Sequence, residues 1–249
     1  MGALEGRTAI VTGGGRDIGR ACAEALADEG AAVAISYMAS SAGAQETVAA
    51  IESRGGKAFA MSCDATDPAQ IDALVERTAA ELGGVHILVN NAGGLVARKR
   101  MDEMDMAHWH RVMDLNLTSA VLATKAVLPH LGDGGAIVNI ASQAGRDGGG
   151  PGAVAYATSK GAMMTFTRGL AKELGPKVRV NAVCPGMIAT GFHDTFTPDE
   201  ARARVAGGTP LKREGDAAEI GRLVAFLAGD AAAFVNGACV DANGGTLFS

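Results

Sequence analysis

Residues 7–19 read RTAIVTGGGRDIG: a short run of apolar and β-branched residues, three glycines, a polar pair, then Ile18 and Gly19. The first part suits a strand and the glycines suit a tight turn into a helix over residues 18–29. Gly13, Gly15 and Gly19 would let the backbone approach a pyrophosphate, which then sits on free N–H groups where the helix begins. A glycine turn alone serves any strand-to-helix junction. What gives it weight is that the same strand–turn–helix unit recurs along the chain.

Working outward, strands are expected over residues 32–37, 57–63, 86–90, 136–141, 178–184 and 238–241. Helices are expected between them over residues 42–54, 68–82, 106–131, 153–174 and 217–227. Continuous Val/Ile/Ala runs mark strands covered on both faces, as in a parallel sheet between helix layers. With no composition break, the alternation predicts one α/β domain over residues 1–249: a doubly wound Rossmann fold of about seven parallel strands. Two stretches interrupt the rhythm, GRDGGGPG at residues 145–152 and an irregular excursion over residues 185–208. Both follow strands on the side where open α/β sheets bind ligands, and both are expected to act as lids.

The chain of 249 residues carries 22 Lys+Arg against 27 Asp+Glu, a formal charge of −5. That balance argues against nucleic acid or an anionic membrane as partner, since both require a basic footprint. No apolar stretch approaches about eighteen residues, so no transmembrane helix is expected. Residues 1–12 show no basic-then-apolar leader pattern. Cys22, Cys63, Cys184 and Cys239 lack ligand or redox spacing, which fits reduced thiols in a cytoplasmic protein and no metal site.

Tyr156 and Lys160 lie four apart on an expected helix and so share a face. A phenol of pKa ~10 is a poor acid at neutral pH, but a nearby ammonium stabilises its anion. Lowering it by about 3 units requires roughly 4 kcal/mol, which a partly desolvated lysine beside a cationic ring could supply. Ser142 follows an expected strand and would stand at the same end of the sheet.

TGGGRDIG at residues 12–19, Asp64 in CDATD, NNAG at residues 90–93 and Asn116 in DLNLTS follow in order along the chain. Ser142 in NIAS, YATSK at residues 156–160 and Pro185-Gly186 with Thr190 beyond complete the series. In these motifs the chain resembles the short-chain dehydrogenase/reductase family over nearly its whole length. The resemblance implies an NAD(P)(H)-dependent enzyme moving hydride between nicotinamide and a carbonyl or secondary alcohol. Tyr156 would be the proton donor in reduction, and Lys160 would depress its pKa and hold the nicotinamide ribose. Ser142 would orient the substrate oxygen, and Asn116 would hold a water that relays protons from Lys160. The cofactor would lie along Gly13, Gly15, Arg16, Asp17, Ile18 and Gly19, then Tyr37, Ser40 and Ser41. Asp64 and Ala65 would meet the adenine, and Asn91, Ala92 and Gly93 the central strand beside it. Pro185, Gly186, Ile188 and Thr190 would grip the nicotinamide, together with Tyr156 and Lys160.

One residue departs from the family pattern: Asp17 stands where glycine is usual, in a turn that favours φ > 0. Its carboxylate also suits an N-cap and would repel a nearby phosphate. No acidic residue ends the second strand in SYMASS, residues 36–41, as an NAD site would normally require. Arg16 occupies a position where NADP users of the family often have a basic residue, and Ser40 and Ser41 could donate to a phosphate. NADP(H) is therefore favoured, with NAD(H) possible.

Three stretches, NNAGGLVARKR at residues 90–100, GGGPGAVAY at 148–156 and PGMIATGFH at 185–193, resemble bacterial reductases of 4-deoxy-5-hexoseulose uronate. A small polar or acidic carbonyl substrate is accordingly expected, read by Arg98, Gln143, Arg146 and His193, with Lys99 and Arg100 as a solvated run. The alternative is a 3-oxoacyl-(acyl-carrier-protein) reductase-like activity. A non-catalytic NADP-binding module would not need the complete set of Asn116, Ser142, Tyr156 and Lys160. The resemblance also implies a homodimer or homotetramer.

Overall fold

The computed structural model describes residues 2–248. The opening unit forms as its sequence dictates: β1 (Thr8–Val11), a glycine turn, then α1 (Asp17–Asp28). There follow β2 (Ala32–Tyr37), α2 (Ser41–Ser53), β3 (Ala58–Ser62), α3 (Pro68–Leu82) and β4 (Ile87–Asn90). The second half runs α4 (Met106–Met113), α5 (Ser119–Val127), β5 (Gly135–Ile140), α6 (Ala144–Asp147), α7 (Val154–Leu174) and β6 (Val178–Pro185). It closes with α8 (Gly191–Phe196), α9 (Asp199–Gly208), α10 (Ala217–Ala228) and β7 (Cys239–Ala242).

The seven strands form one parallel sheet in the order β3-β2-β1-β4-β5-β6-β7. The chain winds one way from β1 to β3, then returns to β4 on the other side of β1. That reversal opens a crevice beyond the carboxyl ends of β1 and β4. Side chains alternate across the sheet, yet both sets are buried. Ala9, Val11, Val33 and Ile35 pack with Cys22 and Leu26 of α1 and Ile220 and Val224 of α10. Ile10, Ala34, Leu88 and Ile137 pack with Ile71 and Leu74 of α3, Val127 of α5 and Leu170 of α7. Two covered faces explain why the strands read as continuous apolar runs. Helices α1 and α10 lie very close: a Cβ on Gly221 would sit 2.3 Å from the Ala21 carbonyl oxygen.

The structure corrects three local expectations. Residues 106–131 are not one regular helix, because a π-helical turn, Asp114–Thr118, separates α4 from α5. The excursion over residues 185–208 is not irregular but contains α8 and α9. The glycine-rich stretch opens with the short helix α6. Among the described residues, no helix is long and apolar enough to cross a membrane.

Candidate active site

Tyr156 and Lys160 sit in the first two turns of α7, Ser142 follows β5, and Asn116 lies on the π-helical turn. The Tyr156 phenol faces Ser142, whose hydroxyl favours the phenolate form. The Ser142 hydroxyl oxygen also accepts the Ala144 N–H at 3.1 Å, which fixes its direction. Lys160 Nζ lies 5.8 Å from the Tyr156 ring centre and donates to the Ile140 carbonyl at 2.8 Å. Burial pushes the Lys160 ammonium down to about 8. Burial raises the Tyr156 phenol above its ordinary value, against a downward pull from the Ser142 hydroxyl. The expected depression of Tyr156 is thus not a property of the protein groups alone.

Asn116 is fully buried. Its Nδ2 donates to the carbonyls of Gly94 at 2.8 Å and Val112 at 2.9 Å, while Oδ1 accepts the Gly94 N–H at 2.9 Å. The amide therefore braces the loop after β4 instead of facing the cavity. The reason is steric: a Cβ on Gly93 would lie 2.6 Å from Asn116 Oδ1 and 3.2 Å from Lys160 Nζ. The loop must run directly over both side chains.

One cavity of about 1080 Å³ runs from the glycine turn to α9. Gly13, Gly15, Arg16, Asp17, Ile18 and Gly19 form its floor at one end, with Tyr37 and Ser40 beside them. Asp64, Ala65, Asn91, Ala92 and Gly93 line its middle, followed by Ser142, Tyr156, Lys160, Pro185, Gly186, Ile188 and Thr190. Elements far apart in sequence therefore place nearly the whole expected cofactor set on one wall. Thr12 ties two of them together, its Oγ1 accepting the N–H groups of Asn91 and Ala92, each at 3.0 Å. Gly13 has φ +67°, and a Cβ on Gly19 would sit 2.1 Å from its carbonyl oxygen. Gly19 is thus required for helix packing rather than for close ligand approach. Asp64 Oδ1 accepts from the Thr66 N–H and hydroxyl at 2.9 and 2.7 Å, shaping the turn after β3.

Three expected contacts are placed differently. Ser41 is not on the cavity wall, and its hydroxyl donates to the Tyr37 oxygen at 3.5 Å. Arg146 also points away. Its guanidinium donates to Asp241 at 2.8 Å and to the Cys239 carbonyl at 2.7 Å, tying α6 to β7. Gln143 and Asp147 take the cavity side of α6, so Arg146 falls on the opposite side, where a carboxylate compensates its partly buried charge. Asp17 does not cap α1 through its side chain: Arg16 is the N-cap residue and Asp17 the first helical one, with φ +50°.

Arg98, Gln143 and His193 do line the cavity. Arg98 donates to the carbonyls of Phe196 at 3.0 Å and Pro151 at 2.9 Å, joining both lid segments. Burial, then the nearby Arg202 and Arg98 charges, holds His193 below the ordinary histidine range. Lys99 and Arg100 form surface ion pairs with Asp105 and Asp102. Phe192, Phe196 and Arg204 line the wall without having been expected there. Phe192 packs 5.9 Å from the Tyr156 ring centre. The apolar spacing in GFHDTF, residues 191–196, was the available sign of a helix in this stretch.

The chemistry of this cavity suits a dinucleotide. No side chain caps α1 at Arg16, and the first turn of that helix faces the cavity. A phosphate at that helix start would meet backbone donors and the positive end of the helix dipole. The volume exceeds what a small substrate alone occupies.

A family model described as enoyl-(acyl carrier protein) reductase matches residues 13–246. An oxidoreductase of Methylorubrum extorquens is 41% identical, the match covering 98% of this chain and 99% of that protein. A 3-oxoacyl-(acyl-carrier-protein) reductase of Synechocystis is 38% identical, with 99% of each covered. A solved short-chain dehydrogenase from Burkholderia cenocepacia, in complex with NADP, superposes with a TM-score of 0.91 at 36% identity, covering 98% of this chain and 99% of that one. The fold and the site define an oxidoreductase on a dinucleotide-binding sheet. The chain belongs to the short-chain dehydrogenase/reductase family.

Proposed function

We propose that this protein is an NADP(H)-dependent reductase of a small polar or acidic carbonyl compound, of which 4-deoxy-5-hexoseulose uronate is an example. The observation that carries the reading is the Ser142–Tyr156 pair beside buried Lys160, on the wall of the cavity that continues into the glycine turn. NADPH, when bound, supplies the hydride. The backbone of the glycine turn, residues 13–19, would hold its phosphates, Asp64 and Ala65 would meet its adenine, and Pro185 to Thr190 would hold the nicotinamide end. Ser142 donates a hydrogen bond to the substrate oxygen and orients it. Tyr156 Oη protonates that oxygen as the carbonyl is reduced. Lys160, with its charge in place, stabilises the phenolate left behind. Asn116 holds the loop over Lys160 and acts as a positioning residue. Turnover of a carbonyl panel with NADPH and NADH tests the reading, and no turnover of any member would sink it.

A second reading, a 3-oxoacyl-(acyl-carrier-protein) reductase-like activity, is favoured by the name of the Synechocystis relative. Against it stand the cations Arg98 and Arg204 on the cavity wall, which suit a compact anionic substrate. A homodimer or homotetramer goes with the family reading. Exposed Phe234 and Phe248 flank the edge strand β7 in sequence, as an interface there would require.

The preference for NADPH rests on Arg16. Its side chain is 70% exposed at the cavity end where Tyr37 and Ser40 lie, and so is available to a ribose phosphate. Arg16→Ala should raise KM for NADPH much more than for NADH. Equal increases for both, or a wild type that prefers NADH, would refute the assignment.

Arg98 would read the substrate carboxylate. Losing one charge-assisted contact costs about 1.5–3 kcal/mol, or roughly 10–150-fold in kcat/KM. Arg98→Ala should show that loss on a 2-keto acid and a much smaller one on its neutral amide. Equal losses on both would leave Arg98 only its bonds to Phe196 and Pro151. Arg146→Ala serves as the contrast, since its partners on β7 predict lower stability without selectivity.

A further inference from the structure

Asp17 adopts φ +50°, a left-handed conformation that an L-residue takes at a cost. It does so in the turn beneath the expected phosphates, where a carboxylate has least to gain from a ligand. Its Oδ1 instead accepts the Gly191 N–H at 3.0 Å, a contact 174 residues away in sequence. Its Oδ2 lies 3.7 Å from Arg16 Nε.

Gly191 is the first residue of α8, and Thr190 before it provides no side-chain cap. The Thr190 hydroxyl is turned away to the Ile188 carbonyl at 3.1 Å. Asp17 therefore satisfies a helix-start donor that α8 leaves open. The next residue, Phe192, packs against Tyr156 at 5.9 Å between ring centres and against Phe196 at 5.2 Å. One hydrogen bond thus joins the cofactor turn to the segment that covers the proton donor.

We infer that Asp17 is a positioning residue: its carboxylate latches α8 to the glycine turn and so seats Phe192 over Tyr156. The inference rests on the cavity being the reductase site proposed above. It explains why the turn carries Asp in place of the more permissive glycine. The lid closes on the same turn that holds the dinucleotide, so cofactor and substrate sites share one mechanical joint.

Two variants cut this bond from opposite ends. Asp17→Gly removes the acceptor and relaxes the turn. Gly191→Pro removes the donor; proline suits a first helical position, and Thr190 at φ −152°, ψ 157° tolerates a following proline. In the full-length protein, each should raise backbone hydrogen exchange across residues 191–208. With NADPH and the best carbonyl of the panel, each should lower kcat by roughly tenfold or more. The double variant should fall no further than either single one, because both remove the same bond. NADPH affinity of Asp17→Gly, read by cofactor fluorescence, should be unchanged or tighter. Asp17→Asn keeps an oxygen acceptor and tolerates the left-handed backbone, and should recover most of the turnover lost in Asp17→Gly. Unchanged exchange over residues 191–208 in Asp17→Gly would overturn the latch, as would a loss confined to NADPH affinity. Exchange is read without substrate. A failure to turn over any carbonyl would therefore count against the reductase reading and leave the latch to be judged on exchange alone.

Discussion

Tyr156→Phe is expected to lower carbonyl reduction by about 10²–10⁴-fold, the usual contribution of a positioned proton donor. The change removes only the hydroxyl. The ring stays against Phe192, and Ser142 keeps its bond from the Ala144 N–H. NADPH affinity and thermal stability should be close to those of the unmodified protein. A purified variant with near-normal turnover would remove Tyr156 from the mechanism. A variant that loses cofactor affinity in parallel would make the hydroxyl a binding group instead.

Lys160→Met should separate activity from stability, moving them in opposite directions. Burial holds the folded ammonium near 8, below its ordinary 10.5, so the unfolded chain binds a proton that the folded chain releases between those values. Stability attributable to this group therefore rises as pH climbs from about 8 to 10.5. Below about 8 the whole penalty is present, on the order of 3 kcal/mol. Methionine removes that penalty but also the charge-assisted bond to the Ile140 carbonyl, worth about 2 kcal/mol. A net gain of about 1 kcal/mol corresponds to roughly 2–4 °C in Tm for a domain of this size. Calorimetry at neutral pH should show the variant melting higher, with the gap closing toward pH 10.5. Reduction should fall by at least about 10²-fold, since the phenolate loses its neighbouring charge. A variant that melts lower at neutral pH would show that the lysine holds the fold rather than burdening it.

Much of this was legible in the chain. Strands announced themselves because both faces of the sheet are covered, so Ile10 and Val11 are apolar alike although they face opposite layers. Tyr156 and Lys160 were placed on one helix face by their spacing of four, and the motifs that accompany them in the sequence singled them out. What stayed hidden depended on contacts remote in sequence. Nothing near Arg146 signals that Asp241 waits for it on β7, and nothing near Asp17 signals Gly191. Asn116 was expected to hold a water beside Lys160, but its amide is spent on Gly94 and Val112, and neither contact shows in the local sequence. Helices α8 and α9 were missed because glycine and proline punctuate the stretch and α9 buries no residue fully, leaving little apolar periodicity to read.

The π-helical turn at Asp114–Thr118 bears on how this gene can change. Such a turn holds one residue more than regular α-helical winding would need. Removing a single codon there would let the two flanking helices fuse into an uninterrupted α-helix. Everything after the deletion would then rotate by about 100° against everything before it. Asn116 could keep its grip on Val112 and Gly94 only if Ala123 and Val127 left their seats against the sheet. Point substitutions around this turn can be sampled one at a time, whereas its length admits no single-step alternative. Among descendants of this gene, insertions and deletions should therefore accumulate in the loops and spare these five positions.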